Sequence, residues 1–93
     1  MDKAFVSVTG LTEAFGLSGT NIPESTVKQA MIKAASEVFI LADSTKIGME
    51  SLVKIAPIDV VDRLVTDPGI RPHDRLVLTQ RGIDIIIAEP QRR

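Results

Sequence analysis

The sequence predicts an α/β domain: a mostly parallel sheet with flanking helices. Three observations predict it. Four short apolar segments, residues 4–8, 38–42, 62–67 and 83–88, have strand length and strand composition. Two helical patterns separate them, one between the first pair and one between the last pair. Within the second segment Val38, Phe39, Ile40, Leu41 and Ala42 run without a polar break, as in a strand buried on both faces of a parallel sheet. Alternation of strand and helix favours parallel pairing with crossover connections.

Residues 4–8 form the first strand, which ends at Thr9 and Gly10, where glycine permits a tight exit. Residues 11–22 contain Gly16, Ser18, Gly19, Thr20 and Asn21, a loop composition. Asn21 suits a helix N-cap, Pro23 is tolerated in the first turn, and Glu24 follows at capping-box spacing. Val27, Ala30, Met31, Ala34 and Ala35 recur at helical spacing and predict the face laid on the sheet, with Lys28, Gln29 and Lys33 toward water. After the strand at 38–42, Leu52, Val53, Ile55 and Ile58 predict a short edge strand, broken by Pro57. Residues 62–67 give a third parallel strand and Pro68-Gly69 a turn. Residues 72–81 give a short helix stopped by Gly82, and residues 83–88 the last strand. The polar tail at 89–93 is expected to fray. Two helices cover a four-stranded sheet poorly. The sequence therefore predicts a partial domain or a sheet face hidden in an oligomer.

A chain of 93 residues holds one domain with a thin core. With three Phe and no Trp or Tyr, that core must be aliphatic. A formal net charge of −1 argues against nucleic-acid binding by charge alone. The absence of Cys excludes disulfides and thiolate metal sites, and a single His leaves little scope for zinc, so no metal or cofactor is expected. Met1-Asp2-Lys3 leads straight into a strand with no signal-peptide pattern, and the apolar runs are far short of a membrane span. A cytoplasmic protein without a membrane partner is expected.

The chemistry concentrates at the end of the second strand. Ligands of open α/β sheets bind beyond the carboxyl ends of the strands. Asp43, Ser44, Thr45 and Lys46 stand there and offer one carboxylate, two hydroxyls and one ammonium. That set suits a small, hydroxylated, anionic ligand such as a sugar phosphate, because lysine binds phosphate as a point charge and a carboxylate accepts from sugar hydroxyls. The competing reading is a solvated turn whose charges cap nearby backbone. Thr66 and Asp67 end another central strand, which is where residues bordering the same crevice would stand; the preferred reading is that Asp67 caps the turn at Pro68-Gly69. His73 has no acid at a telling spacing and receives no role. Gly10, Gly16 and Gly19 are too far apart for a dinucleotide fingerprint, and no Gly-Lys-Ser/Thr phosphate loop is present.

Taken together, these segments resemble the C-terminal half of the sensor domain of DeoR-type, sugar-phosphate-responsive transcriptional repressors. The resemblance rests on Asp2-Lys3-Ala4-Phe5, the stretch from Gly10 to Leu17, Val27-Lys28-Gln29-Ala30-Met31-Ile32, and above all Leu41-Ala42-Asp43-Ser44-Thr45-Lys46-Ile47-Gly48. Ile55-Ala56-Pro57-Ile58 and Leu64-Val65-Thr66-Asp67 follow in the family's order. The family's sensor is similar to the fold of ribose-5-phosphate isomerases and CoA transferases, where a similar Asp-x-Ser-Lys turn lies at the sugar-phosphate site. The resemblance implies that Lys46 approaches the ligand phosphate or a neighbouring oxygen and that Asp43 orients the turn or accepts a sugar hydroxyl. It implies that Gly10 lets the first loop approach the ligand, with Thr12 and Glu13 as further contacts. The winged helix-turn-helix domain of such repressors and the phosphate loop of the sensor's first half have no counterpart here. Residues 1–93 are therefore expected to be a single, partial sensor domain, a homo-oligomer, with DNA contacted only through a domain absent from this chain.

Two other function classes compete. A sugar-phosphate isomerase would need a general base, for which Asp43 and Glu13 are the local candidates. The first loop lacks the isomerases' cluster of acids, so a non-enzymatic sensor is preferred. A phosphoacceptor receiver needs a late Lys, whereas the final strand runs into Ala88-Glu89-Pro90.

Overall fold

The computed structural model describes residues 2–88, so the tail at 89–93 lies outside the described residues. The elements run β1 (Lys3–Ser7), β2 (Gly10–Thr12), β3 (Gly16–Gly19), α1 (Ile22–Ala34), β4 (Glu37–Leu41), β5 (Val53–Ala56), β6 (Arg63–Thr66), α2 (Pro72–Gln80) and β7 (Asp84–Ile87). Single 3-10 turns occupy Ser44–Lys46 and Ile58–Val60. Four strands form a parallel sheet in the order β1-β4-β6-β7. The fold is the α/β class that the sequence predicts.

The strands of this sheet are in register at their carboxyl ends. Ser7 pairs with Leu41, Leu41 with Val65, and Val65 with Ile86. Alternate residues point to opposite faces of a strand. Ala4, Val6, Val38, Ile40 and Leu64 share one face and are buried in a core that also holds Leu17, Ile32, Ile55 and Leu78. Helix α1 packs on β1, and α2 on β7. The opposite face is bare: Phe5 is 55% exposed, Leu41 37% and Ile86 38%. Phe5 and Phe39 stack there with ring centroids 4.7 Å apart. The expectation that β4 is buried on both faces is therefore corrected. Among the described residues no layer covers the Phe39 and Leu41 side, although parallel sheets normally carry cover on both faces.

Residues 11–22 are not the loop their composition suggests. Strands β2 and β3 pair antiparallel, and β3 pairs antiparallel with β5, making a second, three-stranded sheet. All four residues of β3 are buried. Gly16 and Gly19 serve here for close approach, which glycine inside a strand often marks. A Cβ on Gly16, whose φ is +90°, would stand 2.4 Å from the Ala56 carbonyl oxygen. Strand β5 consequently belongs to the small sheet and is not an edge strand of the parallel one.

Helix α1 begins as expected: Asn21 Oδ1 accepts the Glu24 amide at 2.9 Å. The Glu24 carboxylate meets Lys28 at 3.9 Å, so the capping box is used in one direction. The predicted buried face is corrected. Ser25 and Ile32 are buried, Met31 and Ala35 half-buried, and Val27 is 60% exposed, with Ala30 and Ala34 also outward. The small sheet decides this rotation: Ser25 sits against Gly19, where a Cβ would lie 3.0 Å from its Oγ. Helix α2 ends as glycine predicts. The amides of Gly82 and Ile83 donate to the carbonyls of Thr79 and Leu78 at 2.9 and 3.2 Å, a Schellman closure with Gly82 at φ +87°. Among the described residues no helix is long and apolar enough to cross a membrane.

Candidate functional site

The aligned carboxyl ends of the parallel strands open into a crevice of about 390 Å³. Ser7 and Val8 line it from β1, Leu41, Ala42, Asp43 and Lys46 from β4 and the turn after it, Val65, Thr66 and Asp67 from β6, and Ala88 from β7. Backbone bonds carry the ladder past the strand ends, from the Ala42 amide to the Val65 carbonyl at 3.1 Å and from the Ala88 amide to the Thr66 carbonyl at 2.7 Å. The residues after each strand are thereby set on a common rim.

Asp43 shapes the turn that follows β4. Its Oδ1 accepts the Thr45 amide at 3.0 Å and the Thr45 hydroxyl. The Lys46 amide donates to the Asp43 carbonyl at 3.0 Å. The turn is locked to β6 by Asp67, whose Oδ2 accepts the Ser44 amide at 3.3 Å. The other oxygen of Asp67 accepts the Gly69 amide at 2.9 Å, which is the turn cap expected from the sequence. Lys46 is half-buried in the crevice wall and makes no ion pair among the described residues. The crevice thus presents one free ammonium beside two carboxylates.

Both carboxyls titrate below the ordinary aspartate value of 3.8. For Asp43 the Thr45 hydroxyl bond is the largest cause, with the Lys46 charge also contributing; for Asp67 the Ser44 hydroxyl bond leads. A depressed folded-state value means stability that is present above the unfolded value and lost as pH falls through the folded one. The melting temperature is therefore expected to decline on acidification below about pH 4. Asp67→Asn should flatten that decline, measured by circular dichroism across a pH series.

The seven residues singled out from the sequence do not meet at one place. Asp43 and Lys46 line the crevice, and Ser44 and Thr45 build the turn between them. Thr12 and Glu13 line a separate hollow of about 240 Å³ together with Ile47, Gly48, His73 and Leu78. Thr12 Oγ1 accepts the Phe15 amide at 2.8 Å, and Glu13 receives Arg81 at 2.8 Å, so both are engaged in holding the β2–β3 connection. Gly10 lines neither space. A Cβ there would stand 2.5 Å from the Met49 carbonyl oxygen, so this glycine admits backbone. Ser7 joins the crevice without having been singled out, and Thr66 and Asp67 line it as their place at the end of β6 allows, Asp67 while also capping the turn. Their position at the ends of strands parallel to β4 is the signal that finds them.

The sequence model for the DeoR C terminal sensor domain matches residues 1–68. The chain is 38% identical over 88 residues to the HTH-type transcriptional regulator IolR of Bacillus subtilis (strain 168), covering 95% of this chain and 35% of that protein. It is 30% identical over 89 residues to the HTH-type transcriptional repressor GlcR of the same strain, covering 96% and 34%. It is 32% identical over 88 residues to the HTH-type transcriptional regulator GolR of Listeria innocua, covering 95% and 35%. The chain thus spans about a third of the length of these relatives, which are transcriptional regulators and not enzymes.

Proposed function

Because the chain belongs to the DeoR C-terminal sensor domain family, we propose that it is the effector-sensing portion of a DeoR-type transcriptional regulator and binds a phosphorylated sugar in the strand-end crevice. One observation carries the reading: the free ammonium of Lys46 faces the same crevice as the carboxylates of Asp43 and Asp67. An ammonium suits the phosphate, and carboxylates accept from sugar hydroxyls. Residues 1–93 are not assigned the DNA contact in this reading, in keeping with their net charge of −1. The ligand controls DNA binding by the parent protein through its differential affinity for two arrangements of the sensor.

The test is a thermal-shift and calorimetric panel of pentose, hexose and deoxyribose phosphates, the parent sugars and inorganic phosphate. Stabilisation by a sugar phosphate but not by its parent sugar is the expected result. A cooperative melt that no panel member moves would refute binding by this chain.

The reading includes self-association. The bare face carries Phe5, Leu41 and Ile86 in adjacent strands, and exposed apolar patches of this kind mark interaction sites. Sedimentation velocity should show a concentration-dependent species larger than the monomer, and the double variant Phe5→Lys, Ile86→Lys should restore the monomer. A wild-type protein that sediments as a monomer at all concentrations would rule out this association.

A further inference from the structure

We infer that Thr66 is a specificity-determining residue of the strand-end crevice, its hydroxyl meeting a hydroxyl of the bound sugar phosphate. The inference rests on the function proposed above. Thr66 is the last residue of β6, only 3% exposed, and it lines the crevice beside Ala42 and Asp67. Its Oγ1 has no hydrogen-bond partner among the described residues.

A buried hydroxyl without a partner costs about 1–3 kcal/mol, and most buried side-chain polar atoms are bonded. Structure alone gives no reason for threonine here. Valine has nearly the same shape, suits a strand equally well, and carries no polar atom to satisfy. The other buried hydroxyls have local accounts. Ser18 Oγ accepts the Ser51 amide at 2.9 Å. Ser25, also unpartnered, stands where the close approach of Gly19 demands a small residue, and it lines neither hollow described above. Among the described residues, Thr66 alone combines an unpartnered buried hydroxyl with a place in a crevice whose lysine makes no ion pair.

A rotation of χ1 from one staggered well to another moves the hydroxyl to another of the three positions on Cβ without changing side-chain volume. So turned, the hydroxyl offers the bound sugar a donor and an acceptor, while Lys46 holds the anionic end. A site that hydrogen-bonds a ligand hydroxyl rejects an analogue lacking it, because the buried partner is then left unsatisfied.

The experiment compares the wild-type chain, Thr66→Val, Thr66→Ser and Lys46→Ala by calorimetry. The probes are ribose 5-phosphate, glucose 6-phosphate and inorganic phosphate. Thr66→Val is expected to bind the favoured sugar phosphate about 10-fold more weakly while its affinity for inorganic phosphate is unchanged. Thr66→Ser should retain both affinities, and unliganded Thr66→Val should melt at or above the wild-type temperature. Unchanged sugar-phosphate binding by Thr66→Val, or an equal loss for both probes, would overturn the role of Thr66 while leaving the Lys46 site in place. Failure of the wild-type chain to bind any probe would overturn both.

Discussion

Gly16→Ala is expected to lower the melting temperature by about 15 °C or more. Two costs combine. A side chain at φ +90° is strained, at about 1–3 kcal/mol for a left-handed residue. The new Cβ would also meet the Ala56 carbonyl oxygen at 2.4 Å, Pro57 Cα at 2.9 Å and the Ile58 amide nitrogen at 3.1 Å. All three are backbone atoms, so relief requires moving β3 away from β5, and overpacking of this kind costs about 1–3 kcal/mol. The sum is a large share of the stability of a small domain. Gly82→Ala is the control. Its φ is +87° but nothing lies within 4 Å of the added Cβ, so only the conformational cost applies. Thermal denaturation followed by circular dichroism separates the two. Equal melting temperatures for the two variants would contradict the tight β3–β5 contact.

Lys46→Ala should abolish most sugar-phosphate binding and leave the fold intact. Lys46 makes no ion pair with the described residues, and Asp43 keeps its hydrogen bonds from Thr45 without it, so the turn does not depend on the ammonium. A hydrogen bond to a charged group contributes about 1.5–3 kcal/mol, which corresponds to a loss of roughly 10- to 100-fold in affinity. The same contact predicts that wild-type binding weakens as salt is raised, because screening acts on a cation at the wall of an open crevice. Calorimetry over a salt series reads both effects; with no Trp or Tyr, intrinsic fluorescence would not. Wild-type affinity in Lys46→Ala would remove the ammonium from the site.

The four parallel strands, both helices, the Asn21 cap and the Gly82 stop were legible because each depends on local chemistry. The β2–β3 hairpin was not. Gly16, Ser18 and Gly19 have the composition of a loop, yet they are small because β5 and α1 crowd them. The inward face of α1 was hidden for a related reason. Val27, Ala30 and Ala34 form the more apolar stripe, but tertiary contact selects the one bearing Ser25 and Ile32. Within the site, Asp43 and Lys46 were legible from the polar break after an apolar run. Thr12, Glu13 and Gly10 were grouped with them by the family resemblance, on a stretch that composition reads as a loop. Once those residues form strands, Thr12 and Glu13 face another hollow and Gly10 meets backbone.

The pairing order also dictates how the chain acquires its fold. Strands β2 and β3 are joined by three residues and can close early, since short loops close fast. Strand β1 has no such neighbour: Lys3 must find Glu37, and among the described residues β4 is the strand it pairs with in the parallel sheet. Its ordering therefore waits for the hairpin, α1 and β4, and non-local parallel pairing of this kind is slow. During synthesis β1 stays without β4 until residue 41 has left the ribosome, which leaves the Ala4-Phe5-Val6 segment open to misassembly before the sheet closes.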